Sequence, residues 1–360
     1  MSTLRFYALD LLGSPVDTGC MTSWFSNPDA SRWSSGAGVV TRDFHRALPG
    51  YAQTPLVDLP GLAAELGVGR VLVKDESGRL GLPAFKVLGA SWACTRVLDR
   101  TPGASLVTAT DGNHGRAVAR MASHLGTTAT VFVPAVMLQE TAALIEAEGA
   151  RVCRVDGDYD EAVRAAAAHA AELGGRELVQ DTAWPGYEEV PGWIVQGYDT
   201  LLDEVDEQLG RTPDLVAVPV GVGSLAQAVV AHYRRPGRAG TRVLAVEPDT
   251  ADCVITSLLT GTPASVPTGA TVMAGLNCGT ISSLAWPVLR DGLDAAVVVS
   301  CTEALRASFD LGSAGISSGA CGAATLAGVR AALTSRTRRG QLDLPDDPVV
   351  VLLSTEGLAA

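Results

Sequence analysis

From residue 86 to the C-terminus, short apolar runs rich in β-branched residues alternate with amphipathic helical patterns, joined by connections of a few residues. A chain that repeats strand, helix, strand in this way builds parallel sheets with helices on both faces. The runs at 105–109, 129–133 and 151–155 read as strands, with helices over about 87–98, 113–125, 138–148 and 159–173. These make one α/β unit of roughly a hundred residues. A long helix over about 193–209 then leads to a second unit, whose strands fall at 215–219, 243–246, 296–299 and 349–353. An extended piece at 54–57, a helix over 60–66 and a strand at 71–74 precede both. The expected fold is α/β with two open parallel-sheet domains, 1–90 with 195–360 forming the larger and 91–194 the smaller.

A length of 360 residues supports the two-domain reading, since single cores stop growing below that size. The net charge of −12 argues against a nucleic-acid partner, because no basic stripe is present to neutralise phosphates. Arg234-Arg235 and Arg336, Arg338 and Arg339 are expected at helix ends or in loops. No apolar run approaches the ~20 residues of a membrane span, and the N-terminus lacks a basic segment followed by an apolar one, so a cytoplasmic location and no membrane partner are expected. Cys20, Cys94, Cys153, Cys253, Cys278, Cys301 and Cys321 are scattered singly and read as small core residues, not a metal site or disulfide framework. The first fifty residues look irregular, with a turn flanked by aromatics at 24–30, and suit an arm laid across the body or a second subunit.

Ligands of open α/β sheets bind beyond the carboxyl ends of strands, so the residues after each strand carry the functional reading. Lys86 follows Ala84-Phe85 at the start of a helical pattern, beyond the turn-rich Asp75-Glu76-Ser77-Gly78. The helix dipole and partial burial would both lower its pKa toward that of a nucleophile. Taken alone, such a lysine is more often a solvated surface charge. After the strand at 105–109 comes Thr110-Asp111-Gly112-Asn113-His114-Gly115, which offers polar contacts at a helix start or a plain N-cap. After the strand at 215–219 comes Val220-Gly221-Val222-Gly223-Ser224-Leu225, a glycine-rich turn that suits a phosphate and lacks the third glycine of the dinucleotide fingerprint. After the last strand come Ser354-Thr355-Glu356-Gly357. A reactive lysine, a phosphate cradle, a polar G-N-H turn and a strand-end serine jointly describe a site for pyridoxal 5′-phosphate.

The sequence resembles the fold-type II pyridoxal-phosphate enzymes, the tryptophan synthase β-like group that includes serine and threonine dehydratases and cysteine synthases. Within that group it is most similar to the 2,3-diaminopropionate ammonia-lyases. The resemblance runs from Asn27-Pro28-Asp29-Ala30 through Ala84-Phe85-Lys86, Thr108 to Arg116, Gln180-Asp181-Thr182-Ala183-Trp184 and Gly221 to Ala226, and on to Ser354-Thr355-Glu356-Gly357. Asp111-Gly112 marks the subfamily, since the wider group usually has serine where Asp111 stands.

The resemblance implies that Lys86 carries the cofactor as a Schiff base and that Asn113 hydrogen-bonds the cofactor's 3′-oxygen. Gly221, Val222, Gly223, Ser224 and Leu225 would bind the phosphate, and Ser354 would face the pyridine nitrogen. It further implies a lyase that eliminates ammonia from 2,3-diaminopropionate through aminoacrylate to pyruvate. Lys86 would take the α-proton of an L-substrate, Asp111 that of a D-substrate, and Asp181 would hold the β-amino group, unless it merely caps the following turn. No metal is implied, and a homodimer is the group's expectation. The sequence departs from the group at Pro83, at Ser317, where an acidic residue usually precedes Ser-Gly-Ala, and after Gly279. These positions leave open serine or threonine dehydration, β-replacement, racemisation, or a non-catalytic cofactor-binding protein.

Overall fold

The computed structural model describes residues 23–238 and 240–358. In chain order its strands are β1 (Trp24–Ser26), β2 (Leu56–Asp58), β3 (Arg70–Asp75), β4 (Ser105–Ala109), β5 (Ala129–Pro134), β6 (Arg151–Val155), β7 (Arg176–Leu178), β8 (Leu215–Pro219), β9 (Arg242–Pro248), β10 (Ala295–Val299) and β11 (Val349–Ser354). The helices are α1 (Arg42–Arg46), α2 (Pro60–Leu66), α3 (Lys86–Arg100), α4 (Asn113–His124), α5 (Gln139–Ala147), α6 (Tyr159–Glu172) and α7 (Glu189–Gly197). They continue with α8 (Asp199–Leu209), α9 (Ser224–Tyr233), α10 (Cys253–Thr260), α11 (Ala285–Gly292), α12 (Cys301–Ser313), α13 (Ala320–Leu333) and α14 (Arg336–Leu342). Among the described residues, no helix is long and apolar enough to cross a membrane.

Two sheets form. The larger has the order β1-β10-β9-β8-β11-β3-β2, and the smaller β6-β5-β4-β7. The smaller sheet is parallel throughout. The larger is parallel across its five inner strands and closed at each edge by an antiparallel strand, β1 on β10 and β2 on β3. Strands β8, β10 and β11 are buried at every position, as parallel strands with both faces covered must be. Their side chains alternate: Leu215 and Ala217 join the core that contains α13, while Val216 and Val218 join the core that contains α9.

Three expectations need correction. Residues 24–26 form an edge strand, because β10 would otherwise leave its backbone unpaired. The single helix expected over 193–209 is two helices that meet at Tyr198, the first beginning earlier, at Glu189, with Pro191 tolerated in its first turn. Residues 176–178 add a strand to the smaller sheet that the charged pair Arg176-Glu177 gave no sign of. Arg234 follows α9, and Arg336 and Arg339 lie in the first and last turns of α14, as expected, with Arg338 between them. Cys94, Cys253, Cys278 and Cys321 are buried and unpaired, Cys153 and Cys301 are half-buried, and Cys20 lies outside the described residues together with residues 1–22 of the expected arm.

The segment that delivers Lys86 is fixed from two sides. On one side α3 crosses α7 through two glycines: a Cβ on Gly89 would meet Ile194 and Tyr198 at 2.6–2.8 Å, and one on Gly197 would meet the Leu88 carbonyl at 2.5 Å. On the other, a fully buried charge cluster ties the end of β3 to α8. Lys74 Nζ donates to Glu204 at 2.7 Å and to the Thr54 carbonyl at 2.8 Å, and Arg79 donates to Glu76 at 2.6 Å and to Glu204 at 2.7 Å. Burial opposes the Glu204 charge, but Arg79 and Lys74 outweigh it and hold the carboxyl at about 2. Removing Glu204 leaves the buried Lys74 ammonium without its carboxylate and Arg79 with Glu76 alone. Glu204→Ala should therefore lose about 3–5 kcal/mol in a denaturant titration at neutral pH, and a loss no larger than that of an ordinary surface substitution would contradict this role.

Candidate active site

The two sheets meet at the carboxyl ends of their strands, and the residues singled out by the sequence collect there. Lys86 opens α3, and its Nζ donates to Asp181 Oδ2 at 2.5 Å. The lysine side chain keeps 21% exposure and the aspartate 6%, so the pair is largely enclosed with the lysine still reachable from solvent. The expected lowering of the Lys86 pKa is reversed. Burial does press it down, but the Asp181 carboxylate in direct contact outweighs burial and the helix dipole and raises it. Burial likewise opposes ionisation of Asp181, yet His114 and the Lys86 ammonium hold its carboxyl well below the usual range. Asp181 caps no turn. Its other oxygen faces Tyr159 Oη at 3.5 Å and Gln180 Nε2 at 3.3 Å.

After β4 the chain turns through Thr110 to Gly115. Neither Asp111 nor Asn113 caps α4, whose N-cap is Gly112 at φ +147°. Thr110 does that work: its Oγ1 accepts the amides of Gly112 and Gly115, both at 2.9 Å. Gly115 is required for this, since a Cβ there would lie 2.3 Å from Thr110 Cγ2. The side chains of Asp111 and Asn113 are thereby freed for the cleft. Burial pushes Asp111 up to about 7, helped by the carboxylates of Asp181, Asp160 and Asp158 and opposed by Lys86. Asn113 Nδ2 donates to Glu356 Oε2 at 2.6 Å. His114 donates from Nε2 to the Val179 carbonyl at 2.8 Å, which leaves its buried Nδ1 unpartnered 3.8 Å from Asp181.

The glycine turn joins β8 to α9. Gly223 sits at φ +97° as the N-cap of α9, whose first-turn amides have no carbonyl behind them. A Cβ on Gly221 would come within 3.0 Å of Cys278 Sγ and 3.2 Å of the Gly275 carbonyl, so glycine lets the turn nest against that segment. Val222 O accepts from the Ser282 amide at 2.9 Å, and Ser224 Oγ donates to the Asp181 carbonyl at 2.5 Å. The Ser224 hydroxyl is thus committed to the loop that bears Asp181, and its amide remains for an anion. Ser354, at the end of β11, is buried with its Oγ 2.8 Å from Ser318 Oγ. Buried polar atoms without partners among the described residues include Tyr198 Oη, Asn277 Oδ1 and Ser283 Oγ, in addition to His114 Nδ1. An amide-lined anion cradle, a lysine and unsatisfied polar atoms fit an anionic, polar aldehyde cofactor.

Three residues of this site escaped the sequence reading. Tyr159 follows strand β6, and reading the end of that strand like the others would have found it. Tyr198 was hidden inside what reads as one helix. Glu356 passed as part of a hydroxyl-bearing tail. Outside the cleft, Asp199, Asp203 and His232 bring ligating atoms within 4.8 Å of one another, but Arg235 already pairs with Asp199 at 2.8 Å and Arg238 with Asp206, so this is an ion-pair network.

The family described as "Pyridoxal-phosphate dependent enzyme" matches residues 47–355, and the chain belongs to it. Its cofactor is pyridoxal 5′-phosphate, and its fold is the fold-type II arrangement. The chain is 36% identical over 367 residues to diaminopropionate ammonia-lyase of Escherichia coli K12, covering 93% of this chain and 92% of that one. It is 37% identical to the Salmonella typhimurium diaminopropionate ammonia-lyase, covering 87% of each. The Escherichia coli enzyme "in complex with aminoacrylate-PLP azomethine reaction intermediate" superposes with a TM-score of 0.83 at 35% identity, covering 94% of both chains.

The Lys86–Asp181 pair has a direct check. In the cofactor-free protein, Asp181→Asn should let Lys86 be acylated at lower pH than in the wild type, read by peptide mapping across a pH series. An unchanged profile would show that Asp181 does not hold the ammonium.

Proposed function

We propose that the protein eliminates ammonia from 2,3-diaminopropionate to give pyruvate and two molecules of ammonia overall. The observation that carries this reading is a set of carboxylates, Asp181 and Asp111, beside one lysine in a single cleft. Monoamino substrates such as serine would leave the Asp181 charge without a cationic partner once Lys86 is engaged elsewhere. Similarity to the diaminopropionate ammonia-lyases over nearly the whole chain supports the same substrate.

Bound in the cleft, pyridoxal phosphate supplies an electron sink that acidifies the substrate α-carbon. The amides of Gly221, Val222, Gly223, Ser224 and Leu225 would hold its phosphate, Asn113 its 3′-oxygen, and Ser354 its ring nitrogen. Lys86 Nζ would carry it and would take the α-proton of the L-substrate. Asp111 takes the α-proton of the D-substrate. Asp181 holds the β-amino group as an ammonium, and the electron pair of the broken C–N bond departs with ammonia. Hydrolysis of the remaining unsaturated fragment gives pyruvate and the second ammonia. The larger lobe is taken as 1–90 with 195–360 and the smaller as 91–194, a division supported by the two sheets. A homodimer in the cytoplasm completes the reading.

Pyruvate release from D- and L-2,3-diaminopropionate and from serine tests the substrate, and an enzyme active on serine alone would overturn it. Asp111 adds a stereochemical and a pH signature. A base must be ionised to act, and this one titrates at about 7, so turnover of the D-substrate should rise as pH increases through that value. Asp111→Asn should cut D-turnover by roughly a hundredfold or more while sparing L-turnover. Equal losses on both isomers would remove its face-specific role.

A further inference from the structure

Glu356 stands where three parts of the site join. Its backbone forms an isolated antiparallel bridge with Ala84, two residues before Lys86. Around it the Phe85 amide donates to the Thr355 carbonyl at 3.1 Å, the Gly357 amide to the Pro83 carbonyl at 2.9 Å, and the Gly319 amide to the Glu356 carbonyl at 3.0 Å. Its side chain reaches across the cleft to the turn after β4, where Oε2 accepts Asn113 Nδ2 at 2.6 Å. The approach is close: a Cβ on Gly319 would lie 2.9 Å from Glu356 Oε1. Ser317, which stands where the resembled group carries an acid, turns its hydroxyl to the Leu358 amide at 3.1 Å. Glu356 therefore supplies a carboxylate at this corner.

We propose that Glu356 is a positioning residue that fixes the Asn113 amide so that an N–H, and not the carbonyl, is presented to the 3′-oxygen of the cofactor. The two ends of an asparagine amide are nearly equal in size and opposite in hydrogen-bonding sense. A carboxylate accepts only, so it selects the Nδ2 end. That nitrogen has two hydrogens, of which one goes to Glu356 and the second stays available. Asn113 makes no capping bond to α4 that would hold it in another way. Without the carboxylate the amide is free to flip and set its own oxygen against the cofactor's. The inference rests on the reading of Asn113 as a cofactor contact.

The test is the affinity of the cofactor-free protein for pyridoxal phosphate, measured by absorbance titration for Glu356→Gln, Asn113→Ala and the double variant. Glutamine keeps the size but presents either a donor or an acceptor, so Glu356→Gln should weaken binding roughly tenfold. In the Asn113→Ala background the same change should cost less than about twofold, because the residue acts through Asn113. The pH midpoint of the bound cofactor's absorbance should shift in Glu356→Gln and stay put when the change is made on Asn113→Ala. Glu356→Asp, which keeps an acceptor-only group, should retain more affinity than Glu356→Gln and guards against a mere folding defect. Wild-type affinity in Glu356→Gln, or an undiminished loss in the double variant, overturns the role of Glu356. Unchanged affinity in Asn113→Ala alone overturns the reading of Asn113 and this inference with it.

Discussion

The Lys86 ammonium and the Asp181 carboxylate, 2.5 Å apart, join the two sheets at their strand ends. Lys86 comes from the segment after β3 of the larger sheet, and Asp181 follows β7 of the smaller. A short contact between groups on different sheets requires each to be held firmly in place. On the lysine side this is the glycine crossing of α3 with α7 and the buried cluster of Lys74, Arg79, Glu76 and Glu204. On the aspartate side it is the Asp181 backbone carbonyl, which accepts the Ser224 hydroxyl, and the next residues, which exchange hydrogen bonds with Ser282 and Ser283. The glycine turn is part of the same mesh, since Val222 accepts from Ser282.

Electrostatics divides the work among these groups. The two carboxylates sit in one cleft yet differ in charge state. Asp181 touches a cation and stays ionised, whereas Asp111, half-buried and near other carboxylates, is pushed up to about 7. Environments that push two like groups apart are a common basis for acid and base roles. The lysines differ in the same manner. The sequence contains two, and Lys74 is fully enclosed by Glu204, Thr54 and Gln208, while Lys86 keeps an opening to the cleft.

Strand positions were legible because fully buried parallel strands read as short Val, Ala and Leu runs; β4, β6 and β8 begin and end where the pattern places them. The cleft was legible because its residues follow strand ends, the one geometric rule that links sequence order to a site in this fold. What stayed hidden depends on tertiary contacts. The break at Tyr198 carries no local signal, and three-residue strands such as β1 and β7 exist only through their partners. Thr110 as the group that caps α4, and so frees Asp111 and Asn113, needs the turn geometry to be seen. The rise in the Lys86 pKa needs Asp181, which lies 95 positions away in sequence.

With two lysines in the sequence, the central claim reduces to which of them holds the cofactor. Borohydride reduction of the cofactor-loaded protein, followed by peptide mass mapping, reads this directly. The account predicts a single cofactor-bearing peptide containing Lys86, with Lys74 unmodified in its charge cluster. Label on Lys74 or on the N-terminal amine, or no label at all, would contradict it.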